Sequence, residues 1–324
     1  MTSSHSTSIV FPGQGVQRPG MGQEFHDNFA LAKDVYEEAS EACGIDIAGL
    51  CFSADDERLN LTEFAQPAIL CTEIAMWRVL QQELDLQTEY CLFAGHSLGE
   101  YTALVAAGAL PLSAAAVLVR ERGRLMQQAA PVGSGAMLAV ISDQLDLDLI
   151  RRVIKSLDVD IANDNSSSQI VLSGSPSALQ QTQQLLSQQL VDANMAAWRF
   201  VPLAVSAPFH SRFMAGIESA FESHLMHLCD ELQVDCAPQV ASNYSGGFHN
   251  DDFADICHKL VKQISGTVRW RDNMQTLFDA GAPVIEIGPG KPLRGFFKTL
   301  GIDIHSVVNL RSLNRLSNRL ASAA

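Results

Sequence analysis

The sequence predicts an α/β fold, a larger α/β body into which a small ferredoxin-like subdomain is inserted, and three observations predict it. Short apolar runs closed by glycine turns alternate with helical stretches in both halves of the chain. One such run, residues 91–94, passes through Gly95-His96-Ser97-Leu98-Gly99 into a packed helix, the strand–turn–helix setting that gives Gly-x-Ser-x-Gly its meaning. Between residues 133 and 203 the texture changes to β-α-β-β-α-β, the order of a ferredoxin-like unit. The division is therefore 1–132 and 204–324 for the body and 133–203 for the insert.

In chain order, residues 8–11 form a strand ended by Pro12-Gly13-Gln14-Gly15. A glycine-rich turn after a first strand suggests a dinucleotide site, but position 18 is Arg where that fingerprint needs its third glycine. The turn can instead carry a backbone N–H into a site. Residues 23–43 and 66–84 have helical periodicity, the second entered at Gln66-Pro67 with the proline near the first turn. After the serine turn, 103–109 is a small-residue helix, and 113–128 is a helix rich in arginine at 120, 122 and 124.

In the insert, strands are expected at 137–141, 159–163, 169–173 and 198–203, helices at 145–157 and 177–187, and a turn at Asn165-Ser-Ser-Ser. The chain returns through 205–210 to a long helix over 211–231, then a strand at 239–243, helices at 251–264 and 271–280, and a strand at 284–287. Gly288-Pro-Gly-Lys291 resembles a phosphate loop, yet Ile285 and Pro292 stand where that loop needs Gly and Ser/Thr, so it reads as a turn. Residues 311–324 read as a loosely held tail.

Composition narrows the function. With 324 residues, 47% hydrophobic and 18% charged, the chain can bury a substantial core. A net charge of −14 argues against nucleic acid or an anionic membrane as partner, and would repel an acidic protein unless basic residues gather locally. Seven cysteines, at 43, 51, 71, 91, 229, 236 and 257, include no Cys-x-x-Cys and read as reduced thiols of a cytoplasmic protein. No apolar stretch reaches the roughly 18 residues of a membrane span, and the polar residues 1–8 lack a signal-peptide core.

Gly-x-Ser-x-Gly puts a serine hydroxyl at the tip of a strained turn, which needs unbulky residues on both sides. The helix behind Ser97 aims N–H groups at a reacting carbonyl, making Leu98 N–H a natural oxyanion donor. A chance turn gives the same five letters; the flanking strand and helix favour the nucleophile. Nine histidines compete to be its base. His5 and His26 lie in an exposed terminus and a surface helix; His249, His258 and His305 lie in polar loops or helices. His224 and His227, spaced i, i+3 near Cys229, make a weak metal arrangement. His210 ends Val205-Ser-Ala-Pro-Phe-His, where apolar chain turns into helix, a place that also suits a capping or core histidine.

Phe11-Pro-Gly-Gln-Gly, Gly95-His-Ser-Leu-Gly-Glu, Arg122-Gly-Arg-Leu-Met-Gln, Pro208-Phe-His-Ser and Glu286-Ile-Gly-Pro-Gly occur in that order. Together, over residues 8 to about 310, they resemble the malonyl-CoA:acyl carrier protein transacylase family, free-standing acyltransferases of fatty-acid and polyketide synthesis included. The resemblance implies a hydrolase-like α/β large subdomain with an inserted ferredoxin-like one. It implies Ser97 as nucleophile, His210 as base, Leu98 and Gln14 as oxyanion N–H donors, and Arg122 as the grip on a malonyl carboxylate. Gln263 matches the position whose backbone carbonyl orients the histidine, so the system is a dyad with no required acid. His96 and Asn165 occupy family positions near the site. Phe209, where housekeeping fatty-acid members commonly carry a small polar residue, resembles the malonyl-selecting polyketide version, with bulk that crowds an α-methyl branch.

The resemblance further implies malonyl-CoA and an acyl carrier protein as partners; the chemistry requires no metal or redox cofactor, and a monomer is expected. Some family members hydrolyse stalled acyl-carrier thioesters instead, which is the alternative activity; a non-catalytic scaffold is a third reading. Arg122 argues for transfer, because a hydrolase of uncharged acyl groups would bury that cation without a partner. Ser97, His210 and Arg122 together argue against the scaffold.

Overall fold

The strands are β1 (Thr7–Phe11), β2 (Cys91–Gly95), β3 (Ala136–Ile141), β4 (Val159–Ser166), β5 (Gln169–Gly174), β6 (Arg199–Pro202), β7 (Val240–Ala241), β8 (Val284–Ile287) and β9 (His305–Val307). They are seen in a computed structural model that describes residues 7–131, 133–205 and 207–323. The polar start of the chain with His5, together with Val132 and Ser206, lies outside the described residues.

One sheet is parallel and five-stranded, in the order β7-β2-β1-β8-β9. Its central strands are buried from end to end, as expected of a parallel sheet covered by helices on both faces, and this is why they read as unbroken apolar runs. The other sheet is antiparallel, in the order β4-β5-β3-β6. With helices Leu147–Ile154 and Pro176–Asp192 between its strands, it has the ferredoxin-like arrangement. It closes a core of its own around Val140, Ile150, Ile170 and Leu186. The main core lies between the parallel sheet and helices Ala30–Cys43, Thr62–Glu83 and Leu112–Gln128.

Several elements differ from expectation. The 23–43 helix is broken at Phe29, whose backbone is extended (φ −129°, ψ 124°), into Gln23–Asn28 and Ala30–Cys43. The helix expected from Gln66 begins at Thr62, so Pro67 sits inside it rather than at its entrance. Helix Pro176–Asp192 runs past its expected end, whereas Leu147–Ile154 is shorter than expected. The long helix at 211–231 is instead a 3-10 segment, Arg212–Ile217, followed by helix Glu218–Met226. Its start is tied to the insert, since Arg212 N–H donates to Asp160 Oδ2 at 2.8 Å and the guanidinium pairs with the same carboxylate. Asn165 is not in a turn but on β4, and β9 and helix Leu293–Lys298 were not expected. The supposed loose tail is helix Leu310–Ala323, with Leu313 and Leu316 buried in the main core. Its signal was Asn309, whose side chain accepts from Ser312 N–H at 2.9 Å as an N-cap does.

The two sheets are joined through β4. Val268 N–H donates to Ala162 O at 2.8 Å, Asp164 N–H donates to Val268 O at 3.0 Å, and Arg271 pairs with Asp164 at 2.7 Å. This short strand-like pairing carries β4, and with it Asn165, over the end of β2.

Candidate active site

β2 ends at Gly95 and helix Gly99–Ala106 begins at Gly99, so three residues must reverse the chain. Ser97 takes the strain, with φ 53° in the left-handed region, a placement that costs a non-glycine residue on the order of 1–3 kcal/mol. Both glycines are required by contact: a Cβ on Gly95 would overlap the Gly99 carbonyl, and one on Gly99 the Phe11 carbonyl. Asn243, just after β7, pins the turn. Its Oδ1 accepts from Ser97 N–H at 2.7 Å and its Nδ2 donates to Gly95 O at 2.8 Å.

Ser97 Oγ lies 2.7 Å from His210 Nε2, and His210 Nδ1 lies 2.7 Å from the Gln263 carbonyl. A carbonyl only accepts, so Nδ1 carries the proton and Nε2 is free to receive the serine's. His210 is also left-handed, at φ 53°. Burial, and then the Arg122 guanidinium, push its pKa from 6.5 down to about 3 against the pull of the Gln263 hydrogen bond. The His210 imidazole is therefore neutral near pH 7. Among the described residues, what orients it is the Gln263 carbonyl and not an acid.

Arg122, on helix Leu112–Gln128, is 1% exposed. Its Nη1 donates to Gln66 Oε1 at 2.9 Å, and its Nη2 donates to Gln263 Oε1 at 2.9 Å and to Ser97 Oγ at 3.2 Å. The guanidinium stacks on Tyr101 at 5.2 Å, and Nε has no partner among the described residues. Burial holds its pKa below the usual arginine value. Among the described residues no carboxylate pairs with it: a buried cation beside Ser97 is hydrogen-bonded only by neutral amides and a hydroxyl.

The remaining predicted residues gather around this pair. The N–H groups of Leu98 and Gln14 hydrogen-bond to nothing among the described residues. The loop that carries Gln14 presses on the serine turn so closely that a Cβ on Gly13 would overlap the His96 carbonyl. The Gln14 side chain points away, donating to Thr62 Oγ1 at 3.2 Å. His96 Nε2 donates to Asn165 Oδ1 at 2.8 Å, tying the serine turn to the small sheet, and burial lowers its pKa. Phe209 is buried in the main core directly before His210. His224 stands 3.9 Å from Glu121, and among the described residues no three His, Cys, Asp or Glu side chains converge as a metal site.

Sequence reasoning missed an inner polar layer. Glu100 is fully buried, accepting from Gln263 Nε2 at 2.6 Å and Asn243 N–H at 3.1 Å, with His249 Nε2 at 2.9 Å. His249 does lie in a loop, but buried, as a partner of Glu100. Gln66, Asn243 and the Gln263 side chain were likewise unread as site residues. Only Glu100 had a sequence signal, its place directly after the serine turn.

An α/β body that presents a serine on a strand–helix turn with a histidine nitrogen 2.7 Å from its hydroxyl has the arrangement by which a serine can be activated for acyl chemistry. Residues 9–289 match the family described as acyl transferase domain. A malonyl CoA-acyl carrier protein transacylase of Bacillus subtilis is 38% identical over 90% of this chain and 89% of its own. The solved transacylase of Clostridium perfringens superposes with a TM-score of 0.87 at 33% identity, covering 98% of each chain. A malonyl-transacylase solved in complex with its type II PKS acyl-carrier protein superposes at 0.86 with 33% identity over 97% of this chain and 99% of that one. The chain belongs to this acyltransferase family.

Proposed function

We propose that the protein moves a malonyl group from malonyl-CoA to the phosphopantetheine thiol of an acyl carrier protein, through an ester on Ser97. The observation that carries this reading is Arg122. A buried guanidinium 3.2 Å from Ser97 Oγ, held only by neutral groups, is prepared for a carboxylate arriving with the acyl group. Relatives named for malonyl transfer, one of them solved with its carrier, support it.

The steps follow from the residues. His210 Nε2 takes the proton of Ser97 as Oγ bonds to the thioester carbonyl carbon, and the N–H groups of Leu98 and Gln14 hold the resulting oxyanion. The C–S bond then breaks, and the departing CoA sulfur takes the proton from His210. In the second half the carrier's thiol gives its proton to His210 and attacks the ester. The C–Oγ bond breaks, and Ser97 recovers its proton. Every proton is handled by one histidine, so the reading needs no metal or redox cofactor. Phe209, packed beside His210, is proposed to limit bulk at the α-carbon. Seven free cysteines, five of them buried, support a reducing compartment such as the cytoplasm.

Intact-mass measurement after mixing with malonyl-CoA tests this. Wild type should gain one malonyl group and lose it when a pantetheinylated carrier protein is added. Ser97→Ala should gain none while keeping its fold. A malonyl adduct that persists in Ser97→Ala, or an ester that water clears as fast as it forms, would contradict transfer through Ser97.

A further inference from the structure

We propose that the side-chain amide of Gln263, distinct from its backbone carbonyl, sets the preference for acyl groups that carry a carboxylate, by fixing Arg122 at the serine. The inference rests on the malonyl-transfer reading. Gln263 lies on helix Phe253–Ser265 and is fully buried. Its backbone oxygen serves His210, while its amide does separate work. Oε1 accepts from Arg122 Nη2 at 2.9 Å; Nε2 donates to Ser97 O at 2.9 Å and to Glu100 Oε2 at 2.6 Å.

Both Nε2 hydrogens are thereby committed, and the amide cannot turn over. Turning it would set an NH2 group against the guanidinium and a carbonyl oxygen against the Glu100 carboxylate. Glu100 is held in turn by His249 and by Asn243 N–H. The buried Glu100 carboxyl group thus orients the Gln263 amide, and the amide holds the cation. The amide fixes Arg122 without forming an ion pair with it, so an incoming carboxylate meets a guanidinium that no acid among the described residues hydrogen-bonds. An acetyl group has nothing to gain from that charge. Loosening Arg122 therefore weakens malonyl loading selectively, whereas loss of packing alone would weaken both substrates alike.

The test is Gln263→Met, which keeps the side chain's length and the backbone carbonyl for His210 but removes the amide's contacts to Arg122, Ser97 O and Glu100. Acylation rates with malonyl-CoA and acetyl-CoA are followed by intact mass, with a serine-reactive probe reporting the dyad. The malonyl-to-acetyl ratio should fall by about tenfold or more, in the range of a disturbed buried charge contact. In an Arg122→Ala background the same substitution should leave the ratio within about threefold, because the two residues act on one interaction. Should Gln263→Met not fold, Gln263→Asn, which withdraws the amide by one methylene, should show the same direction of change. A folded, probe-reactive variant that keeps the wild-type ratio overturns the inference and leaves malonyl transfer standing. A wild type that loads acetyl but not malonyl overturns the functional reading and this inference with it.

Discussion

Ser97 and His210 share an uncommon backbone, both left-handed without being glycine, and this lets two side chains far apart in sequence meet at 2.7 Å. Strain of that kind persists only where surrounding bonds over-determine it. Asn243 and the two glycines do so at Ser97, and the Gln263 carbonyl does so at His210. Burial and the nearby Arg122 hold His210 neutral down to about pH 3, where an exposed imidazole would charge near 6.5. Protonation removes a general base, so the acid limb of acylation kcat/KM, which reports the free enzyme, should lie well below pH 6.5. Burst acylation measured across the range should be level from about pH 8 to about pH 5. A midpoint near 6.5 would show that the working base is solvated.

At the scale of elements, the serine turn is first of all a close contact between two backbones. Gly99 faces the Phe11 carbonyl at the end of β1, so β1, β2 and helix Gly99–Ala106 can close only without a Cβ there. Gly99→Ala should cost about 1–3 kcal/mol, the usual range for overpacking, and slow labelling of Ser97 by about tenfold or more. Denaturant unfolding and serine-probe kinetics check the two effects; wild-type values in both would mean the turn has slack. This turn was legible because its chemistry is local, and the same is true of β1, β8 and the ferredoxin-like order of the insert. The broken 23–43 helix, the 3-10 segment at Arg212–Ile217 and the docked final helix were not. Their boundaries depend on Phe29, Asp160 and the core that receives Leu313 and Leu316, partners distant in sequence.

Over the whole molecule, the site is assembled where five separate segments converge on the end of β2: the loop after β1, the serine turn, helix Leu112–Gln128, the His210 segment and helix Phe253–Ser265. β4, clamped to the large sheet through Val268, adds Asn165 against His96. The outer ring of the site was readable because each member sits in a short motif of its own. The inner layer of Gln66, Glu100, Asn243 and the Gln263 side chain was not, because only folding shows that these groups satisfy one another. We propose that this assembly surrounds a cation kept for the substrate's carboxylate, Arg122, which no acid among the described residues hydrogen-bonds. Arg122→Ala tests it most directly, with acylation by malonyl-CoA and acetyl-CoA compared by intact mass. Loss of one partner of a buried charge pair typically costs about 2–5 kcal/mol, so malonyl loading should fall roughly thirty-fold to several thousand-fold while acetyl loading falls little or rises. Equal loss with both substrates would contradict the claim.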